Sequence, residues 1–169
     1  MIRLIEINEG CLNQALALEV SEEQKRFVPS AAGILARAWA HRNENARAFA
    51  FSEGGEIVGL ALVYDMDEEP ACHYLMEFMV DRRRQNRGYG KEALRQIVAL
   101  YAGRPKYPVM ELSVDRENIG AIRVFQSAGF TDSGYADPNY PQYISMVYMF
   151  KNADALLRRR LKPSCICDV

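Results

Sequence analysis

Several features that mark particular classes of protein are absent from this sequence. Its four cysteines, Cys11, Cys72, Cys165 and Cys167, show no CxxC spacing, which argues against a zinc site or a disulfide framework. The 21 basic and 22 acidic side chains leave a net charge of -1, so no broad cationic surface for nucleic acid or an anionic membrane is predicted. We therefore expect neither a metal site nor a nucleic-acid partner.

Long apolar segments and the common nucleotide motifs are also missing. Every apolar run falls well short of the roughly 20 residues that a membrane helix needs, and the opening MIRLIEINEG lacks the apolar core of a secretory signal. A cytoplasmic protein without a membrane segment is expected. Neither GxxxxGK[ST] nor a GxGxxG motif followed by a suitably spaced acid occurs, so neither a P-loop nor a dinucleotide fold is predicted.

The chain has 169 residues, 49% of them apolar, which suffices for one sizeable hydrophobic core. We predict a single domain over residues 1–151, followed by a C-terminal helix and a mobile tail over residues 152–169. Hydrophobic periodicity predicts the order strand, helices, three strands, helix, strand, helix and two strands. This interleaving favours a mixed α/β (α+β) sheet with helices on both faces.

Particular residues support individual elements of this order. Asn8 and Asn118 are placed to cap helices, and Gly129 should end the last of these helices. Pro29 should divide the helical region 21–40 into two pieces. The predicted strands include a hairpin over 47–66 that turns at Gly54-Gly55, a central strand over 71–81 buried on both faces, and closing strands over 130–136 and 142–150.

The stretch 81–103, DRRRQNRGYGKEALRQIVALYAG, joins the predicted central strand to a helix whose end is expected just before Gly103. A helix N-terminus binds anions through its unpaired N–H groups, and Gly88 and Gly90 would let a phosphate approach the backbone. Gln85 can add a hydrogen bond. Four arginines raise the local positive potential, namely Arg82, Arg83, Arg84 and Arg87. The alternative is a solvated charged turn that ends in glycine.

The segment Gln85-Asn86-Arg87-Gly88-Tyr89-Gly90 resembles the [RQ]xxGx[GA] pyrophosphate loop of the GNAT superfamily of acetyl-CoA-dependent N-acetyltransferases. The longer stretch LMEFMVDRRRQNRGYGKEAL resembles the fourth strand and following helix of that family. DRENIGAIRVFQSAGF resembles its N-x-x-A-x-x-x-[YF]-x-x-x-GF segment. The resemblance implies a twisted, mostly antiparallel sheet of about seven strands and acetyl-CoA as the cofactor.

The resemblance also implies where coenzyme A binds. In that family the fourth strand splays from its neighbour and pairs with the pantetheine arm, while the next loop wraps the pyrophosphate. Carried over to this chain, the cofactor-binding residues are Phe78, Met79, Val80, Gln85, Asn86, Arg87, Gly88, Tyr89, Gly90, Lys91, Asn118 and Phe125.

Two of these positions depart from the family pattern. Glycine is common where Asn86 stands, but asparagine tolerates positive φ, so the turn should survive. Many members have a tyrosine, thought to protonate the departing thiolate, where Phe125 stands; phenylalanine has no proton to give. A thiol with a pKa of roughly 8.5 leaves tolerably without help. Water or a later tyrosine could supply the proton, the candidates being Tyr135, Tyr140, Tyr143 and Tyr148. Alternatively, Phe125 is only an apolar residue on the inner face of its helix.

Glu77 is the acid inside an otherwise apolar stretch of the central strand, a few residues before the coenzyme loop. An amine with a pKa of about 10 must lose a proton before it attacks a thioester, and Glu77 is our candidate for the catalytic base. The alternative is a structural ion pair between Glu77 and an arginine, such as Arg116 or Arg123. In the expected reaction the amine attacks directly and N–H groups of the splayed strand stabilise the oxyanion.

The segment VSEEQKRFVPS (20–30) resembles the opening of bacterial spermine/spermidine and diamine acetyltransferases within the superfamily. The expected function is therefore transfer of an acetyl group to a small amine, a polyamine such as spermidine or spermine. Glu22 and Glu23 are the predicted substrate residues, with further negative charge from 65–69. Protein N-termini or aminoglycosides are the alternative acceptors, and a non-catalytic acyl-CoA-binding module is the alternative class. Relatives often pair through their C-terminal strands, so the resemblance allows a homodimer, which nothing in the composition demands.

Overall fold

The computed structural model describes residues 1–68, 70–103 and 106–151, so the C-terminal helix and tail predicted over 152–169 lie outside the described residues. The strands are β1 Arg3–Glu6, β2 Arg47–Glu53, β3 Glu56–Met66, β4 Cys72–Val80, β5 Val109–Asp115, β6 Thr131–Asp132 and β7 Tyr143–Met149. The helices are α1 Glu9–Leu16, α2 Ala31–Ala40, α3 Tyr89–Gly103 and α4 Ile119–Ala128, with short 3-10 turns at Glu22–Gln24 and Arg42–Glu44. Within those ranges, no helix has the length and apolarity to span a membrane.

The strands form one sheet in the order β1-β2-β3-β4-β5-β7-β6. Neighbouring strands are antiparallel except β4 and β5, which are parallel. This arrangement confirms the predicted mixed, mostly antiparallel sheet of about seven strands. The β2–β3 hairpin turns at Gly54 and Gly55 with φ of 58° and 88°, where a side chain would be strained.

Helices pack on both faces of the sheet, as predicted. α1 and α2 cover one face through a core that includes Ala15, Ile34 and Leu62. α3 and α4 cover the other through a larger core that includes Ile97 and Phe125. β4 contributes to both cores, with Leu75 in the larger and Met79 in the smaller one. The central strand is therefore buried on both faces and held from both sides.

The predicted helix ends are largely confirmed. The side chains of Asn8 and Asn118 accept hydrogen bonds from the N–H groups of Gly10 and Ala121, at 2.9 and 3.2 Å. Gly129 ends α4 with a φ of 103°. The region around Pro29 is divided as expected: the 3-10 turn Glu22–Gln24 precedes it and α2 follows it.

Two boundaries differ from the prediction. The strand predicted over 130–136 shrinks to β6, because side chains compete there for the backbone. Asp132 accepts a hydrogen bond from the N–H of Gly134, and the Ser133 hydroxyl accepts one from the N–H of Tyr135. Gly134 has a φ of 74°, which an extended strand excludes. The second difference is small: α3 includes Gly103 as its last residue.

Candidate active site

β4 and β5 diverge soon after they meet. They pair at His73 with Met110 and at Tyr74 with Glu111, and no further pairs between them follow within the described residues. The gap is a cleft of about 380 Å³, walled by residues 75–80 of β4 and 112–115 of β5. Among the described residues, the edge of β4 that faces this gap has no neighbouring strand, so its peptide groups can hydrogen-bond an extended ligand, apart from the Val80 carbonyl, which accepts from the Gln85 side chain.

The loop between β4 and α3 closes one end of this cleft. Asn86 and Gly88 adopt positive φ of 61° and 81°, so the turn survives with asparagine at the first of these positions. α3 begins at Tyr89 and directs its first N–H groups, with the positive end of the helix dipole, toward the cleft. Of the coenzyme-binding residues predicted from the sequence, all except Arg87 line the cleft.

The arginines of this loop contribute less positive potential than the sequence suggests. Arg82, Arg83 and Arg84 each pair with a carboxylate, namely Glu19, Asp81 and Glu56. Hydrogen bonds from Arg83 lower the pKa of Asp81, which stays ionised. Because these charges compensate locally, the attraction for an anion comes mainly from the backbone N–H groups, the helix dipole and Lys91, which lines the cleft without an ion-pair partner among the described residues.

A second cavity, of about 570 Å³, lies beside the cleft on the side of the sheet where α2 packs. Six residues line both spaces, so the two open onto each other: Phe27, Val28, Met76, Glu77, Ser113 and Tyr143. Ligands bound in the cleft and in the cavity would come into contact at this junction.

Glu77 lies at the junction and is only 6% exposed. β4 carries a bulge just before it, since Leu62 pairs with Glu77 but the next residue of β3, Val63, pairs with Leu75. Burial raises the pKa of Glu77 to about 7, an effect that Arg37 only partly offsets. A carboxylate with a pKa near neutrality is suited to accepting and releasing a proton at physiological pH.

The partner of Glu77 is Arg37 of α2, not Arg116 or Arg123 as the sequence analysis allowed. Arg123 is exposed on α4, which packs on the opposite face, and the Arg116 side chain donates to the carbonyl of Pro141. Arg37 has 51% of its side chain exposed, so solvent screens its charge and Glu77 keeps a raised pKa.

Phe125 both fills the core and reaches the cleft. Its ring packs against Phe78 and Phe130, with centroids 6.0 and 6.1 Å apart, and it also lines the cleft.

The four tyrosines considered as proton donors differ in their positions relative to the two spaces. Tyr148 packs against Phe130 in the core, and Tyr135 and Tyr140 line only the second cavity. Tyr143 lines both spaces.

The predicted substrate residues Glu22 and Glu23 are exposed in a 3-10 turn and line neither space. Asp65 is buried at the far end of β3, where it contacts His73 and Lys106. The carboxylates that do line the second cavity are Glu77, Glu111 and Asp137. The sequence analysis missed the last two. Glu111 carried no local signal, because it occupies an ordinary polar position in the alternating strand VMELSV.

The basic residues that line this cavity form ion pairs with acids. Two of the acids that line it have no basic partner among the residues that the structure describes. Lys25, Arg26 and Arg37 pair with Glu22, Glu117 and Glu77 respectively. Glu111 accepts a hydrogen bond from the Ser145 hydroxyl at 2.6 Å, and Asp137 accepts one from the N–H of Asn139 at 2.8 Å. Neither acid forms an ion pair with any residue that the structure describes. The cavity therefore offers unneutralised negative charge beside tyrosine rings.

Comparisons with known proteins agree with this geometry. The spermine/spermidine N(1)-acetyltransferase of Bacillus subtilis (strain 168) is 34% identical over 90 residues, which cover 50% of this chain and 59% of that protein. The probable spermine N(1)-acetyltransferase of Bacillus subtilis subsp. natto (strain BEST195) is 33% identical over 90 residues, which cover the same fractions of the two chains. The chain thus matches little more than half the length of these relatives.

Solved structures share the fold at low sequence identity. A spermidine N-acetyltransferase from Vibrio cholerae, in complex with CoA and spermine, superposes with a TM-score of 0.69 at 14% identity, over 88% of this chain and 95% of that one. An aminoglycoside acetyltransferase, AAC(6')-Ib, in complex with coenzyme A, superposes with a TM-score of 0.71 at 20% identity, over 95% of this chain and 99% of that one.

A family model also matches well over half of the sequence. The model described as the acetyltransferase (GNAT) family matches residues 12–130, from α1 to the end of the segment that follows α4. It spans the splayed strands, the loop before α3 and the carboxylate at the junction. This chain belongs to the GNAT acetyltransferase family.

Proposed function

We propose that this protein transfers the acetyl group of acetyl-CoA to a primary amine of a small polyamine such as spermidine or spermine. The observation that carries the proposal is the position of Glu77. It is buried where the coenzyme cleft meets the second cavity, and its pKa of about 7 suits a base. An amine held in the second cavity would reach a thioester held in the cleft beside this carboxylate.

The residues of the cleft fit coenzyme A. The start of α3 and the positive-φ turn at Asn86 and Gly88 supply N–H groups for the pyrophosphate. The unpaired edge of β4 supplies main-chain groups for the pantetheine arm, with Phe78, Met79 and Val80 along it. Asn118 and Phe125 close the far wall from α4. Arg87 lies outside the lining and contributes at most to the surrounding potential.

Glu77 acts as the base in the proposed reaction. Acetyl-CoA supplies the acetyl group as a thioester. Glu77 accepts a proton from the incoming ammonium group, directly or through water, so that the free amine attacks the thioester carbon. The C–S bond then breaks to release coenzyme A, and the nitrogen of the new amide loses its second proton to solvent. N–H groups of β4 stabilise the oxyanion that forms, and Arg37 holds the Glu77 carboxylate in place.

Tyr143 is the proposed donor of a proton to the departing thiolate. It is the tyrosine that lines both spaces, and Phe125 occupies the position of the usual donor without a hydroxyl. Ser113 also lines both spaces, but a phenol, with a pKa of about 10, gives up its proton far more readily than an alkyl hydroxyl.

Tyr143→Phe is expected to lower kcat by roughly tenfold to a hundredfold, the low end for general-acid catalysis because a thiolate leaves tolerably unaided. Initial-rate measurements check this. Tyr148→Phe, which removes the hydroxyl of a tyrosine that lines neither space, should leave kcat unchanged. Adding Phe125→Tyr to Tyr143→Phe should restore part of the rate by returning the hydroxyl to the family position. An unchanged kcat in Tyr143→Phe would assign the proton to water or to Ser113.

Glu111 and Asp137 support a polycationic acceptor. A polyamine that presents one amine to Glu77 would extend its other ammonium groups along the cavity, past two carboxylates and the rings of Tyr135 and Tyr140. Aromatic faces and carboxylates both attract ammonium groups. The resemblance of residues 20–30 to polyamine acetyltransferases points the same way.

Glu111→Gln is expected to raise the KM for spermidine about tenfold, since a hydrogen bond to a charged group contributes roughly 1.5 kcal/mol or more. The KM for a monoamine such as butylamine should not change, because it has no second ammonium group. Glu9→Gln, which removes an exposed acid from α1, is the matched control. If Glu111→Gln raised the KM for spermidine and the KM for butylamine equally, the result would contradict a role for Glu111 in binding the second ammonium group of the polyamine.

A panel of acceptors tests the acceptor class. Spermidine, spermine, a monoamine, an aminoglycoside and a short peptide with a free N-terminus are each incubated with acetyl-CoA, and the products are identified by mass spectrometry. Acetylated polyamine at the highest kcat/KM is the expected result. Preference for the aminoglycoside or for the peptide would replace the polyamine while leaving the chemistry of Glu77 in place.

A further inference from the structure

Two separate sequence segments meet through a pair of glutamine side chains. Gln24 ends the 3-10 turn in the segment that resembles polyamine acetyltransferases, and Gln85 begins the pyrophosphate motif. The Nε2 of Gln24 donates to the Oε1 of Gln85 at 3.2 Å, and the Nε2 of Gln85 donates back to the Oε1 of Gln24 at 2.9 Å. Both side chains are half-buried, which limits competition from water.

Each amide is also anchored in its own segment. The Nε2 of Gln85 donates to the carbonyl of Val80 at 3.0 Å, and the Oε1 of Gln24 accepts from the N–H of Ser21 at 3.1 Å. The Gln85 side chain, for which the sequence suggested a bond to phosphate, is therefore used within the protein. The pair fixes the end of β4 to the start of the 3-10 turn.

A second attachment lies a few residues earlier in the same segment. The N–H of Arg82 donates to the carbonyl of Glu19 at 2.7 Å, and the N–H of Glu19 donates to the Asp81 carboxylate at 3.3 Å. The Arg82 and Glu19 side chains form an ion pair at 3.0 Å. Residues 19–24 are thus held to residues 81–85 at both ends.

The attached segment leads directly into the wall of the second cavity. The N–H of Phe27 donates to the carbonyl of Gln24 at 2.9 Å, and Phe27 and Val28 line both the cleft and the cavity. A short chain of contacts therefore runs from the coenzyme loop through Gln85 and Gln24 to the acceptor wall. A ligand that holds the coenzyme loop in one conformation would therefore also restrict the movement of Phe27.

We propose that Gln24 is a positioning residue that couples coenzyme binding to amine binding. This inference rests on the function proposed above. Coenzyme A bound at the loop would fix the position of the Gln85 side chain, and through it that of Gln24. The cavity wall formed by Phe27 and Val28 would then be held in place as well. Amine affinity is then higher when the coenzyme is bound. By linkage, the amine raises coenzyme affinity by the same factor.

The coupling is measured as the Kd of spermidine by calorimetry, with and without saturating coenzyme A, which supports no turnover. The wild-type enzyme is expected to bind spermidine about 5- to 10-fold tighter with coenzyme A, the low end of the range that two neutral hydrogen bonds could give. In Gln24→Ala the ratio should fall close to one. In kinetics, Gln24→Ala should raise the KM for spermidine several-fold and change kcat less. By the same linkage, the variant should also lose the tightening of coenzyme A binding that spermidine produces in the wild-type enzyme.

A double-mutant cycle separates this role from general destabilisation. If the pair acts as a unit, Gln24→Ala has little further effect in a Gln85→Ala background. Gln14→Ala is the matched control, because the Gln14 Oε1 accepts from the N–H of Ile57 at 3.1 Å and Gln14 lines neither space. If Gln24→Ala fails to fold, Gln24→Glu replaces it: it keeps both accepted bonds but places a carboxylate oxygen against the Gln85 Oε1 in place of the donor, and should lose most of the coupling.

Three results would overturn the inference. Gln24→Ala could retain the wild-type coupling, the two single effects could add in the double variant, or wild-type spermidine affinity could be indifferent to coenzyme A. Each of these leaves the proposed acetyltransferase function intact. No binding of any amine to the coenzyme-bound wild-type enzyme would instead overturn the proposed function, and this inference with it.

Discussion

Replacing Glu77 by glutamine is expected to lower kcat by about 10²–10⁴-fold, the usual contribution of a positioned general base. The glutamine is nearly isosteric and its carbonyl oxygen can still accept from Arg37, so the site should keep its shape. The loss would then measure proton transfer and not packing. Steady-state rates with spermidine, on variants whose thermal unfolding has been compared, provide the measurement.

The pH profile gives a sharper test of the same residue. Burial raises the pKa of Glu77 to about 7, so the base is increasingly protonated below that pH and kcat/KM should fall as the pH falls. Glu77→Gln should lack this acid limb in its residual activity. Glu111→Gln removes another carboxylate from the same cavity and should keep the limb. An acid limb unchanged in Glu77→Gln would show that another group is the base.

Stability should respond to pH in the opposite direction. The pKa of Glu77 is raised from its usual 4.5 to about 7, so the folded state binds the proton more tightly than the unfolded state. The contribution of Glu77 to the free energy of unfolding is therefore lost progressively as the pH rises from about 4.5 to about 7. Glu77→Gln should lose this component, which denaturant titrations at several pH values would detect.

Gly88→Val is expected to weaken coenzyme A binding by roughly 10- to 100-fold. Gly88 has a φ of 81°, a conformation in which a non-glycine residue carries about 1–3 kcal/mol of strain. The loop either relaxes, which moves its N–H groups away from the pyrophosphate, or keeps its shape and places the valine side chain in the cleft that Gly88 lines. Both outcomes reduce affinity.

Calorimetric Kd values for coenzyme A check this prediction. Gly134→Val is the matched control: Gly134 has a φ of 74°, no atom lies within 4 Å of a Cβ built at either glycine, and Gly134 does not line the coenzyme cleft. It should lose comparable stability and keep the wild-type Kd. Coenzyme A affinity that is equal in the two variants would contradict the placement of the pyrophosphate at this loop.

The features that the sequence predicted well are those determined by neighbouring residues. Alternation of apolar positions located most of the strands, and the caps Asn8 and Asn118 located two helix starts. Asn86 illustrates a local rule that held, since asparagine adopts the positive φ that the loop requires. Glu77 was identifiable because an acid inside an apolar strand is costly without a function or a partner.

The features that were missed depend on which distant segments share a cavity. Arg37 reaches Glu77 because α2 packs on the same face as the β4 bulge, and no local pattern encodes that pairing. Glu111 became relevant only once β5 was seen to border the acceptor cavity. The splay was expected only from the family resemblance, because the nearly continuous apolar run of β4 marks neither its last pair with β5 nor the bulge before Glu77.

The most direct test of the central claim is the release of free thiol from acetyl-CoA when spermidine is added to the wild-type protein. The account predicts thiol release that depends on both protein and amine, matched mole for mole by acetylated spermidine. Tight binding of acetyl-CoA with no turnover across the amine panel would contradict it, and would leave the chain as a non-catalytic acyl-CoA-binding member of its family.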